Sequence, residues 1–423
     1  MKILIRSARI VSKNTTLNGL VRDIFIDNGI ITQLDELIDV EADEIIEGNN
    51  LCVSIGWFDM RVHAKDPGYE HKESLYSLEK AALAGGFSSL ALLPNTKPVV
   101  QTRESIHYLK RAGDLVKFYP MAAVTVNTDG KDFTEMIDLH EAGAVAFSDG
   151  EHPLQNPDIL LKTLQYLTQF GGVLINQPED KNLTHFGQMH DGVVSALIGM
   201  KGMPNMAEEI MIMRDLKLLE YVMDTPFGDL SNDKSLLHFS CISTAESVNL
   251  IRQGKAKGLP ISCDVAAHQL CFTEGDLVDF DTNFKVNPPF RTVADVKALW
   301  AGLADGTIDT IVSDHTPHDE ESKKLEFDVA DFGAIGLETL FAAVNTYNEG
   351  LSLEEIIEKI TINPRRILRL PIPQIAVGEK ANLTIFSQDE TWVYVEKNIV
   401  SSAKNSPFIG KQLKGKAIAV ISK

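Results

Sequence analysis

The sequence lacks the features of a secreted, membrane or nucleic-acid-binding protein. It has no apolar run near the roughly 20 residues of a membrane span, and residues 1–6 are too short to predict a signal peptide. Its 4 cysteines show no CxxC spacing, which predicts buried thiols in a cytoplasmic protein. Positive charge is scarce, since 40 Lys and Arg face 59 Asp and Glu and leave a net charge of -19. Both nucleic acid and an anionic membrane surface are therefore excluded as partners.

The order of apolar patterns predicts two domains. Residues 2–53 alternate in a β manner, and patterns typical of parallel βα units then follow one another through residues 54–371. A β pattern returns in residues 372–423. We predict an α/β fold with a (β/α)8 TIM barrel over residues 54–371, and a composite β-sandwich domain made of residues 1–53 plus 372–423. A doubly wound open sheet is the alternative.

Shorter segments carry predictions of their own. Asn28-Gly29, between apolar strands, predicts a tight hairpin. Residues 45–53 predict a strand pair around a turn at residues 48–50, and residues 144–148 predict a barrel strand. Residues 415–423 predict the strand that closes the chain.

Residues 54–68 form the segment around which we expect the functional site to be built. An apolar stretch leads into polar residues at every second position, namely Asp59, Arg61, His63 and Lys65. Alternate side chains of a strand share one face, and at the carboxyl end of a barrel strand that face holds catalytic groups. The segment resembles the Asp-x-His-x-His-x-Arg-x-Pro-Gly motif that opens the barrel of dihydroorotases, which belong to the amidohydrolase superfamily.

The resemblance continues along the chain in the family's order. The matching segments are residues 93–98, 282–291, 305–318, 332–339 and 404–410. It implies a small anionic ring ligand and a set of substrate-binding residues. These are Lys65, Asn95, Asn287, His318, Phe332 and Gly333. Lys65 keeps the positive charge of the family's Arg but cannot make its bidentate hydrogen bonds to a carboxylate.

The same resemblance implies where zinc ions would be held and where this chain departs from the pattern. In the family, metal-activated water attacks a ring amide carbonyl, and an aspartate, here Asp314, moves the proton. His63 and Asp314 keep the family's ligand types, and Cys241 could supply a third ligand. The family's remaining ligands are replaced by Arg61, Gly150 and Gln177. Asp149 could act as a ligand only if its loop slipped by one residue.

These replacements predict a degenerate zinc site, since a guanidinium has no lone pair for a metal. Arg61 is expected to fill part of the metal's space and to pair with Asp314 or Asp149. Asp314 would then be a relic of the general base, and no cofactor is expected. His238 and His268 fall outside the family's ligand motifs and are expected to be satisfied histidines of the core or of a loop.

The sequence leads to two hypotheses for the function of this protein. The first is a catalytically silent relative of dihydroorotase in pyrimidine biosynthesis. Its role would be structural or regulatory, through aspartate carbamoyltransferase or through self-association, because inactive homologues in the family can act as partners of that enzyme. The second is an active cyclic amidohydrolase with a rebuilt mononuclear zinc site of His63, Cys241 and Asp314.

Overall fold

The computed structural model describes residues 1–225 and 235–422. Its strands alternate with helices after residue 56, and further strands lie at both ends of the chain. The strands are β1 Lys2–Ile10, β2 Val21–Asp27, β3 Ile30–Asp35, β4 Glu44–Ile46, β5 Leu51–Ile55, β6 Trp57–Val62, β7 Phe87–Leu92, β8 Lys117–Pro120, β9 Leu174–Asn176, β10 Met189–His190, β11 Gly202–Met203, β12 Leu237–Phe239, β13 Ile261–Ala266, β14 Thr310–Val312, β15 Asn382–Val393 and β16 Gln412–Ser422.

Several helices begin with a side-chain cap from Ser or Thr, as at Ser74, Thr102 and Thr244. The α-helices are α1 Leu75–Gly85, α2 Arg103–Ala112, α3 Met136–Ala142, α4 Pro157–Thr168, α5 Val193–Ile198, α6 Met206–Met223, α7 Ala245–Ala256, α8 Val293–Ala304, α9 Glu320–Lys323, α10 Leu340–Thr346, α11 Leu353–Lys359 and α12 Ile362–Ile367. Ser74 accepts from the backbone N–H of Ser77 at the start of α1, and Gly86 ends that helix in the left-handed region. In the described ranges, the helices are all too short or too polar to reach across a bilayer.

Both ends of the chain contribute to one sheet. Its strands lie in the order β16-β15-β5-β1-β2-β3, and β4 pairs with β1. The antiparallel pairing of β5 with β15, from Leu51 to Ile55, brings the N-terminal and C-terminal strands together. Asn28 and Gly29 take positive φ values of 49° and 81° at the hairpin between β2 and β3, as their sequence predicts.

Residues 45–53 do not form the predicted strand pair. β4 and β5 each pair in parallel with β1, β4 through Ile3 to Ile5 and β5 through Arg9 and Ile10. β1 is long enough to accept both partners on one edge, so neither strand needs the other. The predicted closing strand is observed as β16, and the last residue of that prediction, Lys423, lies outside the described residues.

The barrel closes through eight parallel positions, which confirms the predicted barrel over the open sheet. β6, β7 and β8 form one ladder, and β9, β12, β13 and β14 form another. Residues 144–148 lie between β8 and β9, but only Phe147 makes bridges, to Ala122 and Leu174. A further bridge between Val62 and His315 closes the ring. Residues 144–148 thus take the predicted position in the barrel through hydrogen bonds to both neighbours, but their strand pairing is limited to isolated bridges at Phe147.

Trp57, at the start of β6, connects the barrel to the terminal sheet. Its indole is fully buried and its ring centroid lies 4.8 Å from that of Phe341 in α10 and 5.4 Å from that of Phe386 in β15. The indole N–H donates to Ser54 Oγ at 2.9 Å. The position of β6, and hence of the polar residues that follow, therefore depends on this contact.

Candidate functional site

The polar residues after Phe58 enter the mouth of the barrel, as their alternation predicts. Asp59, Arg61, His63 and Lys65 are all buried, with exposures from 0% to 7%. Asp59 accepts the backbone N–H groups of Arg61 and Ser313 at 3.0 Å each, and so ties the end of β6 to that of β14. Burial raises the pKa of Asp59 to about 7.

The guanidinium of Arg61 lies between the positions that the resemblance assigns to metal ligands. Its Nε donates to Asp314 Oδ1 at 2.7 Å, and its Nη2 donates to Gln177 Oε1 at 2.6 Å. Its Nη1 donates to Ser240 Oγ at 3.2 Å. The side chains of Arg61 and Asp314 are only 3% and 6% exposed. Of the two partners expected for Arg61, the structure thus brings Asp314 to it.

The buried carboxylate of Asp264 holds Ser240, one of the groups that Arg61 contacts. Asp264 accepts from His238 Nε2 and from Ser240 Oγ, both at 2.8 Å, and from the backbone N–H of Cys241 at 2.6 Å. Burial opposes the charge on Asp264, but the hydrogen bond from His238 lowers its pKa below the usual value. His238 is a satisfied core histidine, because its Nδ1 also contacts Ser262 Oγ at 2.8 Å.

His268 differs from its expected role. It is buried and packs edge-on against Phe290, with the ring centroids 5.5 Å apart. Its Nε2 has no hydrogen-bond partner among the described residues. His268 is therefore a core histidine whose hydrogen-bonding capacity is not fully used. Burial lowers its pKa to about 4, which keeps the ring neutral.

The loop after residues 144–148 does not bring a carboxylate to Arg61. Asp149 Oδ1 accepts the backbone N–H groups of Val124 and Thr125 at 2.9 and 3.0 Å, and its Oδ2 accepts the Thr125 hydroxyl. Gly150 has a φ of +61°, and a Cβ built there would lie 1.7 Å from Asn95 Oδ1. Asp149 is therefore bound to the loop after β8, and position 150 has no room for a side chain while Asn95 stays in place.

Cys241 lies next to Ser240 and is 1% exposed. Burial raises the pKa of its thiol well above the usual value, although Arg61 opposes that shift. Across residues 1–225 and 235–422, no three His, Cys, Asp or Glu side chains converge in a group that could hold a metal ion. His63, Cys241 and Asp314 therefore do not form such a group.

The residues assigned to substrate binding line two cavities at the barrel mouth. Lys65, Asn95, His318 and Phe332 line a cavity of about 640 Å³. Asn287, Phe332 and Gly333 line a second cavity of about 250 Å³, beside Arg61, His63, Gln177 and Asp314. The two cavities share Glu151, His152 and Phe332 as lining residues.

Several of these residues are already engaged by the chain itself. His318 contacts Phe332 O through Nε2 at 2.9 Å and Lys72 Nζ through Nδ1 at 3.0 Å. Lys72 also donates to Asp331 Oδ2 at 3.0 Å. The matched motifs include neither Lys72 nor Asp331, although Asp331 directly precedes the matched segment 332–339.

Glu151 is a further residue that the sequence analysis missed. Its Oε1 lies 3.0 Å from His63 Nδ1 and 3.7 Å from Lys65 Nζ. Burial opposes its charge, but His63 and Lys65 hold its pKa well below the usual value. The signal available in the sequence was its position directly after Gly150, at the end of a predicted barrel strand.

Two buried lysines hold the loop that carries Phe332 and Gly333. Lys323 Nζ donates to Asp331 O at 2.8 Å and to Gly333 O at 3.1 Å. Lys285 Nζ donates to Phe327 O at 2.6 Å. Burial lowers the pKa of Lys323 to about 7 and that of Lys285 to about 8.

These pKa shifts predict that the protein becomes more stable as the pH rises from about 7 to 9. The folded protein loses the Lys323 proton near pH 7, whereas an unfolded lysine keeps its proton to about pH 10, so stability rises with pH by up to about 1.4 kcal/mol per unit. Below about pH 7 both states are protonated and this contribution is flat. We expect Lys323→Met to reduce the slope, measured by urea unfolding at several pH values, and the exposed Lys324→Met to leave it unchanged. Equal slopes in the wild type and Lys323→Met would contradict the prediction.

Comparison with known proteins agrees with the motifs. The model of the Dihydro-orotase-like family matches residues 51–223, and that of the Amidohydrolase family matches residues 236–421. A dihydroorotase of Pelotomaculum thermopropionicum is 39% identical over 428 residues, which cover 100% of this chain and 97% of that protein. The chain belongs to the dihydroorotase family. A dihydroorotase of Syntrophus aciditrophicus is 37% identical and is covered to 98%.

Solved structures support the same fold for this member of the dihydroorotase family. An L-hydantoinase (dihydropyrimidinase) from Arthrobacter aurescens superposes with a TM-score of 0.83 at 25% identity, covering 100% of this chain and 96% of that one. A dihydropyrimidinase from Brevibacillus agri superposes with a TM-score of 0.82 at 18% identity, covering 100% and 94%, which shows the fold alone. The resemblance found in the sequence motifs is thereby confirmed at the level of family and fold.

Proposed function

We propose that this dihydroorotase-family protein has little or no hydrolase activity and acts as a structural or regulatory member of the family. The observation that carries the proposal is the position of Arg61, whose guanidinium contacts Asp314 and Gln177 directly. A permanent cation thus lies among the positions where the family's metal ions are expected.

The side chains at this mouth do not fit a zinc ion. A guanidinium offers no lone pair, and an amide oxygen such as that of Gln177 is a weak neutral ligand. At 4 Å and an effective dielectric of about 20, each pair of unit like charges costs about 4 kcal/mol, and zinc carries two charges. The negative charge of Asp314 is already compensated by Arg61 at 2.7 Å.

The base that the family resemblance implies for the hydrolytic reaction is also not free at this site. Hydrolysis of a ring amide needs a group that removes a proton from the attacking water. Asp314 is the family's candidate, but its Oδ1 is held by Arg61. Moving Asp314 toward a substrate would leave the buried guanidinium without its counter-ion, which is unfavourable.

The mouth is nevertheless kept open, which supports a binding role. Lys65, Asn95 and His318 line a cavity of about 640 Å³, a volume within the usual range of small-molecule sites. A small anionic ring ligand suits this cavity, given the lysine at its wall. The proposed protein partner, aspartate carbamoyltransferase, rests on the family resemblance, in which inactive homologues support that enzyme.

Metal content is the experiment that tests the proposal first. We expect protein purified without chelator to contain less than about a tenth of an equivalent of zinc, and to contain no more after zinc incubation and desalting. The same samples are expected to show no hydrolysis of dihydroorotate above the rate of a buffer control. A pull-down with aspartate carbamoyltransferase then tests the partner.

The opposite result has a specific meaning. One equivalent of zinc that survives desalting, together with hydrolysis that Asp314→Asn abolishes, would favour an active enzyme with a mononuclear site of His63, Cys241 and Asp314. The proposal of a silent homologue would then be wrong. Zinc without hydrolysis would reject only the part of the proposal that concerns the metal.

A further inference from the structure

The wall of the larger cavity contains a largely buried lysine side chain whose ammonium group makes no hydrogen bond to the described residues. The side chain of Lys65 is 8% exposed, and its backbone takes a φ of +60° just beyond the end of β6. Within the described part of the chain, the nearest carboxylate oxygen to its Nζ is that of Glu151 at 3.7 Å, beyond hydrogen-bond range. An ammonium group at the end of a largely buried side chain would gain from a closer anion.

The imidazole beside it is in a similar state. His63 Nδ1 is buried and makes no well-directed hydrogen bond to the described residues, although Glu151 Oε1 lies 3.0 Å away. One oxygen of Glu151 therefore faces both His63 and Lys65 without an ideal geometry to either. Two polar groups at the cavity wall are left to share a single carboxylate.

Glu151 differs from the groups that it contacts because it can leave the cavity. Its side chain is 46% exposed, whereas those of His63 and Lys65 are 3% and 8% exposed. No hydrogen bond from the described residues to the Glu151 carboxylate meets the usual geometric limits, and its backbone is anchored separately by the bond from its N–H to Asn95 Oδ1 at 3.2 Å. The side chain can thus rotate toward solvent while the loop stays in place.

We propose that the Glu151 carboxylate is a tethered competitor that occupies the position of an anionic ligand beside Lys65 and His63. The ligand is a small carboxylate, which displaces Glu151 and makes the closer contacts to Lys65 and His63. This inference rests on the proposed function, since a mouth without a metal leaves these two side chains to hold the anion.

The other charged groups of the cavity do not play this part. Asp331 is 47% exposed, like Glu151, but it is held by Lys72 at 3.0 Å and lies 3.2 Å from His318. Neutralising Asp331 removes one negative charge from the same cavity, as neutralising Glu151 does, but it does not remove a contact to Lys65. Asp331→Asn is therefore a matched control that separates competition from a general change in charge.

The test measures orotate binding by titration calorimetry in chloride-free buffer. Orotate is a planar ring carboxylate that contains no bond hydrolysed by this family, so the measurement does not depend on activity or on zinc. We expect Glu151→Gln to bind orotate about tenfold more tightly than the wild type, and Asp331→Asn to stay within about threefold of it. Lys65→Met is expected to abolish binding.

Three results would overturn the proposal. The first is equal affinity in Glu151→Gln and the wild type, and the second is an equal gain in Asp331→Asn. The third is no orotate binding in either the wild type or Glu151→Gln. Thermal unfolding of each variant, followed by circular dichroism, shows that the comparison is made on folded protein. If the protein proves to hold zinc and to hydrolyse dihydroorotate, the proposed function fails, while the ratio between Glu151→Gln and the wild type still reports on the competition.

Discussion

Replacing Arg61 by alanine is expected to lower the free energy of unfolding by about 3–5 kcal/mol, because it leaves a buried carboxylate without its counter-ion. The side chain of Asp314 is only 6% exposed, so little water reaches its carboxylate. The substitution also removes the hydrogen bonds that Arg61 gives to Gln177 and Ser240. Urea unfolding followed by circular dichroism measures the difference.

The control for this prediction is an arginine that makes a similar contact at the surface. Arg103 Nη1 lies 2.5 Å from Asp138 Oδ1, and the two side chains are 42% and 48% exposed. Water and salt screen such a pair, so Arg103→Ala is expected to change stability little. If Arg61→Ala changed stability no more than Arg103→Ala, the guanidinium would not be the buried counter-ion that the proposed function requires.

A second variant separates the loss of the ion pair from the loss of packing. Asp314→Asn removes the charge with almost no change in volume and leaves the buried Arg61 without the carboxylate to which it donates. We expect the double variant Arg61→Met with Asp314→Asn to be less destabilised than the sum of the two single variants, because no unpaired charge remains. Simple additivity would contradict a direct coupling between the two side chains.

Replacing Trp57 by alanine is expected to cost about 3–5 kcal/mol, the range for removal of a large buried aromatic residue. The indole is fully buried between Phe87, Phe341 and Phe386, and these residues come from three different elements. The cavity left by alanine cannot close easily, because the three surrounding rings belong to separate elements of the fold. Urea unfolding again supplies the measurement.

Two further variants bracket this result. Trp57→Phe keeps most of the packing and loses the indole N–H to Ser54, so its cost is expected to be about 1–2 kcal/mol. Tyr76→Ala removes an aromatic ring that is 68% exposed and should stay within about 0.5 kcal/mol of the wild type. A loss below about 1 kcal/mol for Trp57→Ala would mean that the barrel and the terminal sheet do not depend on this contact.

Much of the architecture could be predicted because its signals are local. The alternation of strand and helix patterns indicates a parallel barrel, and the Asn28-Gly29 turn indicates a hairpin, from a few neighbouring residues each. The prediction that Asp59, Arg61, His63 and Lys65 share one face follows from the two-residue period of a strand. These features need no knowledge of which distant segment each strand meets.

The pairing of short strands was less predictable. Residues 45–53 contain two apolar runs and a turn, which locally resemble a hairpin, yet both runs pair with β1. Residues 144–148 are apolar and extended but form only isolated bridges at Phe147. In both cases the outcome depends on which neighbouring backbone has free hydrogen-bonding groups, and that is a property of the assembled sheet.

The sequence by itself determined the family, the barrel and the set of side chains that reach the barrel mouth. These features depend on the order of motifs and on the period of strands, which are both local properties of the sequence. Only the tertiary structure decided what those side chains contact. Arg61 meets its partners across 116 to 253 residues of sequence. Asp149 turns to Val124 and Thr125 in the loop after β8, and Glu151 turns to His63 and Lys65, although only Gly150 separates the two acids. Hydrogen bonds and ion pairs depend on distances of a few ångströms between strand ends, and these distances are set only when the barrel closes.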